Sequence, residues 1–484
     1  MTDPTYLPAE ILSQAIAARK VSCAEVMAAF LDRIERLNPA INAIVSLRPR
    51  DELMAEAQAA DAAPRRGPLH GFPFAIKDLV ETAGIRTTHG SPLFADHVPT
   101  SDDLLAARIR AAGAILIGKT NTPEFGLGSH SYNPVHGVTR NPYDLSKTAG
   151  GSSGGAAAAL ATKLVPLADG SDTMGSLRNP AAFCNVYGFR PSYGRIARDA
   201  VGDLFLNQIS MDGPMARSIR DLAMLMDVIA GPAEHDPHGL PSHPSFLALL
   251  DEPSGARRIG WIGDWAGHFA IEKEVLELCE GALGVFEDAG IVVEHVTPPF
   301  DPQRMWHAWL TLRSFANAAS KRHLYEDPSS RALLKPELVY EIESGLAVSA
   351  MEVHEASVVR SEWFSAAAKL FEDYDALVLP SAQLLPFDAE LRWPESVAGR
   401  RMTTYHQWME VVVPASIAGL PALNVPVGFS KAGLPMGMQL IGPRSADAAV
   451  LQLGDVYHQV TDWPGRHPPR LEAEAHAQTH SVHG

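Results

Sequence analysis

The sequence predicts an α/β protein built on a largely parallel or mixed β-sheet, and three observations carry that prediction. Short apolar runs suited to buried strands alternate with amphipathic runs of helical period along most of the chain. Hydrophobic residues make up 46% and charged residues only 20% of the 484, below the ~25% charged residues of an average soluble domain, so much of the backbone must be buried. No internal repeat appears, although length alone, at about 150 residues per domain, would suggest roughly three units.

The elements follow in order. Ser22 and Glu25 form a capping box ahead of Val26, Phe30 and Ile34, which predicts a helix, and Ile41 to Val45 reads as a short strand. A helix over about Asp51 to Ala60 and a loop from Pro64 to Pro68 precede an extended segment from Phe72 to Leu79. The run Leu104 to Ala112 is helical and leads into the strand Ala114 to Ile117; Ala156 to Lys163 is helical and leads into Leu164 to Ala168. Ile219 to Ile229 is a helix and Ala233 to Pro253 a connecting loop; Ile259 to Ile262, Ile271 to Ala289 and Ile291 to Val296 repeat strand, helix and strand. From about Pro298 to Arg401 the chain is helical and aromatic-rich, with one core strand at Ala376 to Leu379, and is expected to cap a site as an inserted cover. Val425 to Val427 and Met436 to Leu440 are strands, Ala446 to Val460 a last helix, and residues 464–484 a His- and Pro-rich tail.

Composition narrows the function. A net charge of −16 opposes phosphate backbones and anionic membranes, so no direct nucleic-acid partner is expected. Cys23, Cys184 and Cys279 are odd in number and far apart, which suits buried thiols in a reducing compartment. The start MTDPTYLPAE has neither the basic nor the apolar part of a secretory signal, and a cytoplasmic location is expected. The uncharged stretch Val411 to Phe429 is broken by Pro414, Pro421, Pro426, Gly419 and Gly428, so it reads as a buried helix, turn and strand rather than a membrane span.

Two motifs are decoys. Gly113 to Thr120 fits G-x-x-x-x-G-K-[ST], yet its middle residues Ala-Ile-Leu-Ile are themselves a strand, which leaves no turn to cradle phosphate and makes Lys119 structural. Gly150-Gly151-Ser152-Ser153-Gly154 fits G-x-S-x-G, but the polar segment Asn141 to Thr148 upstream is not the buried strand a nucleophile elbow needs. H-E-x-x-H, S-x-x-K and close Cys/His clusters are absent, so no metal and no cofactor are expected.

What remains is a Gly/Ser-rich block from Thr148 to Ser176. Its first half, GGSSGG, leads into an Ala-rich helix, so its serines sit near a helix N-terminus that favours developing anions. Its second half opens GSDTMGSLRNP, where Asn179-Pro180 suits the N-cap and first residue of another short helix. A hydroxyl nucleophile beside backbone donors is what acyl transfer needs. Cys184, with no nearby base, reads as a core cysteine.

These blocks, with Gly71-Phe-Pro-Phe-Ala-Ile-Lys77-Asp78, Gly118 to Phe125, Gly188 to Ser192 and Gly433 to Gly442, resemble the amidase signature family over most of the chain. The resemblance implies a single large α/β domain over residues 1–463, with a mixed central sheet covered by helices on both faces. It also implies a Lys77, Ser152 and Ser176 triad. In that reading Ser176 attacks an amide carbonyl, Ser152 relays its proton, and Lys77 accepts it once burial has lowered its pKa. Phe72, Phe74 and Ile76 alternate on one face of the extended segment and leave Lys77 beside small residues. The N–H groups of Thr173, Met174, Gly175 and Ser176 are the expected oxyanion hole, with Met174 standing where the family commonly has Gly. A Met there is costly at positive φ and otherwise only reshapes the pocket. Gly126, Leu127, Gly128 and Ser129 are expected to line the substrate pocket, with Arg178 as a further candidate that could meet an anionic substrate group; the structural role, paired with Asp172, is the reading favoured for Arg178.

The implied activity is hydrolysis of a small-molecule carboxylic amide, and of esters, through a serine acyl-enzyme; a homodimer is allowed. The same motifs also serve the glutaminase (A) subunit of a tRNA-dependent amidotransferase, which needs partner subunits.

Overall fold

The two strands Ala422–Phe429 and Pro435–Ile441 pair antiparallel in the middle of an eight-stranded mixed sheet. The computed structural model describes residues 3–199, 201–206 and 208–471. Across the sheet the order is Val292–His295, Arg258–Trp261, Ala376–Pro380, Pro435–Ile441, Ala422–Phe429, Tyr187–Arg190, Met211–Ala216 and Ala168–Asp172. Arg258–Trp261 runs parallel to both of its neighbours, and the remaining pairs are antiparallel. The central strands are buried along nearly their whole length because helices cover both faces. On one face the helix Arg178–Phe183 brings Ala182 so close that a Cβ at Gly437 would sit 3.0 Å from it. On the other, Gly454 of the helix Asp447–Thr461 lies against Leu423, whose side chain points opposite to that of Asn424.

A smaller sheet of Ile44–Val45, Ile115–Thr120 and Pro73–Lys77 stands beside the large one, with Ile115–Thr120 in its middle. Its strand Pro73–Lys77 reaches the edge strand Ala168–Asp172, where the Lys77 N–H donates to Asp169 Oδ1 at 3.1 Å. The two sheets are thereby joined at the residues that carry the candidate chemistry.

Most expected elements occur within a few residues of their predicted limits. The Ser22/Glu25 capping box is formed, and its helix runs on to Ile41, where Asn42 in the left-handed region stops it and leaves a strand of only Ile44–Val45. The strand expected at Leu164 to Ala168 lies instead at Ala168–Asp172. Leu164, Val165 and Leu167 are buried, but Pro166 has no N–H for a ladder, so pairing begins after it. The strand Ile115–Thr120 runs through Gly118-Lys119-Thr120, and the Lys119 ammonium donates to Val80 O at 2.5 Å and Thr82 Oγ1 at 2.7 Å, so the P-loop look-alike is a strand with a structural lysine. The stretch 411–429 is a short helix, a turn at Gly419 with φ +65°, and a strand. No helix among the described residues is long and apolar enough to cross a membrane.

In the region 298–401 the long helices Pro302–Glu326, Pro336–Ala347 and Ala350–Leu370 precede the strand Ala376–Pro380, after which the chain is mostly irregular. Gly345 lets two of these helices touch, since a Cβ there would collide with the Ser314 carbonyl oxygen. The chain end expected as a tail is partly packed: Trp463–Arg466 is helical, and the His467 carbonyl accepts from Tyr143 Oη at 2.8 Å. Residues 472–484 lie outside the described residues.

Candidate active site

Lys77 ends its strand fully buried, between the two sheets. Its Nζ donates to three serine hydroxyls, Ser152 Oγ at 2.8 Å, Ser153 Oγ at 2.8 Å and Ser171 Oγ at 3.0 Å. No carboxylate among the described residues touches the ammonium, and burial pushes the Lys77 pKa down to about 8, with Asp169, Asp212 and Asp172 opposing that fall from a distance. Burial likewise lifts the Asp169 carboxyl to about 6.

Ser152 is held by its backbone. The Gly151–Ser152 peptide bond is cis, the Gly151 N–H donates to Asn179 Oδ1 at 3.1 Å, and the Ser152 carbonyl accepts from Ser131 Oγ at 3.3 Å. Gly151 leaves room for this, because a Cβ there would come within 2.8 Å of the His130 nitrogen. Ser153 precedes the helix Gly154–Ala161 as predicted, and its N–H donates to the Ser176 carbonyl at 3.2 Å, tying the two serine loops together.

The turn after Ala168–Asp172 carries Ser176. Asp172 organises it, accepting from the N–H groups of Gly175 at 2.9 Å and Leu177 at 3.2 Å. Burial alone would raise the Asp172 pKa, but Arg178 and Arg190 beside it hold it well below the usual carboxylate range. Gly175 takes φ +76°, whereas Met174 is not among the positive-φ residues. The Met therefore carries no backbone penalty and adds its side chain to the cavity wall.

Three expectations change. The Gly175 N–H is spent on Asp172, which leaves Thr173, Met174 and Ser176 as the turn's backbone donors without a backbone acceptor among the described residues. Arg178 does not face substrate: all five of its N–H groups are used, on Asp172, Val412 O, Gln439 Oε1 and Ser416 Oγ, and the residue is fully buried. The pairing with Asp172 is the structural role the sequence reading favours. Asn179-Pro180 is not a cap; the helix spans Arg178–Phe183, the Asp172 carboxylate takes the N–H groups before it, and Asn179 turns its amide oxygen to Gly151.

A cavity of about 790 Å³ opens over this centre. Lys77, Ser152 and Ser176 line it together with the predicted Gly126, Leu127, Gly128 and Ser129. Cys184 lies apart in the core, its thiol on the Ala149 carbonyl and its pKa raised by burial. Trp309, Trp363 and Trp408 are buried in the core, and none of the tryptophans lines the cavity; the cover helix instead presents Arg313, Ala316, Asn317, Ser320 and Lys321. Ser153 and Ser171 were missed as partners of the lysine. The signal for Ser171 is the two-residue period of a strand, which sends Asp169 and Ser171 to one side, both onto Lys77.

The family model "Amidase" matches residues 25–451. Over 470 residues the chain is 32% identical to an acylamidase of Rhodococcus erythropolis, covering 96% of this chain and 97% of the relative. It is 37% identical to the A subunit of the glutamyl-tRNA(Gln) amidotransferase of Thermus thermophilus, covering 92% and 95%. A bacterial aryl acylamidase of the amidase signature family superposes with a TM-score of 0.89 at 28% identity, over 96% of this chain and 98% of that one. With a family match across most of its length and a mixed-sheet fold shared with a solved member, this chain belongs to the amidase signature family and is a hydrolase of amide C–N bonds.

Proposed function

We propose that the protein is a free-standing amidase, acting alone or as a pair of identical copies, in which Ser176, Ser152 and Lys77 hydrolyse a small carboxylic amide through an acyl-enzyme. The observation that carries this reading is a fully buried lysine whose Nζ, among the described residues, meets only hydroxyls, with one of them, Ser152, in the cavity that Ser176 also lines. A lysine depressed to about 8 is neutral in a useful fraction of molecules near neutral pH, and its lone pair can then accept a proton.

Ser176 Oγ attacks the carbonyl carbon as its proton passes to Ser152 Oγ and the Ser152 proton passes to Lys77 Nζ. The oxyanion formed is met by the free N–H groups of the 173–176 turn. Collapse breaks the C–N bond while the relay, reversed, protonates the departing nitrogen, and water then repeats the sequence against the ester. Ser153 and Ser171 position the lysine, since each takes one of its remaining N–H groups.

The net charge of −16 supports a small-molecule substrate over an RNA-bound one, and the three cysteines, all free and buried, support a reducing compartment, the cytoplasm. The second reading, the glutaminase component of an amidotransferase, is favoured by the 37% identity to such a component. Purified chain releasing ammonia or amine from simple and aryl amides supports the free-standing enzyme; release only with added partner chains and charged tRNA supports the other. A serine-directed fluorophosphonate is expected to label the protein and to fail on Ser176→Ala. Equal labelling of that variant would overturn the assignment of the nucleophile.

A further inference from the structure

The cavity wall formed by the cover holds polar groups that the proposed catalytic relay does not use. His406 is 3% exposed and lines the cavity, and neither of its ring nitrogens has a hydrogen-bond partner among the described residues. Its ring is fixed between Trp306 and Tyr405, with ring centroids 5.4 Å and 4.4 Å away, and burial pushes its pKa down to about 3, so it is a neutral imidazole with one donor and one acceptor. A buried polar group left unpaired is costly, and a ligand group that pairs with it recovers that cost.

Arg313 stands near it, and Lys321 of the same helix as Arg313 lines the same cavity. Arg313 spends Nε on Glu341 Oε1 at 2.6 Å and Nη2 on Tyr405 Oη at 2.8 Å, which leaves Nη1 without a hydrogen bond among the described residues. Glu341 balances that charge. Lys321, half-buried on the same helix, has no carboxylate partner among the described residues, and its Nζ makes one hydrogen bond, to Ser320 Oγ at 3.1 Å. Burial, with Arg313 nearby, lowers the Lys321 pKa to about 8, so near neutral pH the ammonium is still its main form and one positive charge on this wall has no carboxylate partner among the described residues. The rest of the lining carries the cations Lys77 and Arg198, but carboxylates outnumber them, among them Glu81, Asp103, Asp199 and Asp212, and they disfavour an anion placed there.

We infer that the wall of Arg313, Lys321 and His406 receives a carboxylate at the end of the substrate remote from the scissile amide. The inference rests on the amidase reading and names its substrate class: amides whose acyl or amine portion bears a free carboxylate. Lys321 supplies the charge, Arg313 Nη1 a second donor, and the neutral His406 a hydrogen bond with no charge of its own to offset.

The test compares dicarboxylic acid monoamides of increasing chain length with chain-matched neutral amides, by kcat/KM, in the wild-type protein and in Lys321→Met, Lys321→Arg and His406→Phe. The wild type is expected to favour the anionic amide at least tenfold at its best chain length. Lys321→Met should lower that ratio at least tenfold, chiefly through KM, Lys321→Arg should keep it, and His406→Phe should lower it. A wild type that favours the neutral amide at every length, or a ratio that survives in Lys321→Met, would overturn the inference. Fluorophosphonate labelling of Ser176 run alongside separates the two claims: labelled protein without the anionic preference defeats this inference alone, and absence of labelling defeats the amidase reading with it.

Discussion

Lys77 concentrates the account at the scale of a residue. Its pKa of about 8 comes from burial, and the relay needs the neutral amine, so kcat/KM should rise about tenfold per pH unit below that value and level off above it. A flat profile from mildly acid to mildly alkaline pH would contradict Lys77 as the base. Lys77→Ala should lower kcat by about 10²–10⁴-fold while far-UV circular dichroism stays unchanged, and Lys77→Arg should be as inactive, because a guanidinium stays charged. The same shift bears on stability. The folded pKa lies below the ordinary 10.5, so between about 8 and 10.5 the unfolded chain binds more protons, and this group's contribution to stability increases with pH across that window. At this scale the sequence was informative where motifs are local. Lys77, Ser152 and Ser176 are singled out by local motifs and line one cavity, and the Asp172 partner of Arg178, six residues away, is legible too, whereas its partners Gln439 and Ser416 lie more than two hundred residues away and are not.

The elements show where local reading stops. The turn that carries Ser176 is fastened by Asp172, which holds two backbone N–H groups and meets Arg178 and Arg190 with no solvent access. Arg178→Met should cost about 3–5 kcal/mol in urea unfolding, since it leaves a buried carboxylate short of a partner, and should lower activity through the turn. A loss below about 1 kcal/mol would show that Arg190 suffices. Gly155→Ala tests the docking of the Gly154–Ala161 helix: its Cβ would collide with Asn121 N and lie 2.6 Å from Asn121 O, backbone atoms that cannot turn aside. That variant is expected to lose soluble expression or melt well below the wild type. Period and caps foretold helices such as Ile219–Ile229 to the residue, because an amphipathic face is written in its own sequence. The strand at Ala168–Asp172 was displaced in the prediction, because its Asp, Gly and Ser face a polar site rather than a core. The tryptophans went to the core for the complementary reason: large apolar rings gain most from burial, and the small or polar residues of the Pro302–Glu326 helix were left to face the cavity.

At the scale of the whole molecule, the landmarks from Gly71 to Gly442 belong to one mixed-sheet domain, and the small sheet that supplies Lys77 abuts the edge of the large one. Length alone suggested several units; the order of the motifs joined them. The cover helices Pro302–Glu326 and Pro336–Ala347 form a small hydrophobic cluster of their own, around Leu338 and Ile342 with Leu127 and Leu334, and the first of them lines one side of the cavity. Their cationic wall was not legible in the sequence, because Arg313, Lys321 and His406 are brought to one cavity only by the fold. The acidic surface predicts that added RNA leaves turnover by the purified chain unchanged. Trapping the acyl-enzyme shows whether Ser176 is the nucleophile. Protein mixed with an activated ester, quenched in acid and mapped by mass spectrometry should carry one acyl group on Ser176 and none in Ser176→Ala. An acyl group on Cys184 or Ser152, or hydrolysis with no adduct in any quench, would contradict Ser176 as the nucleophile.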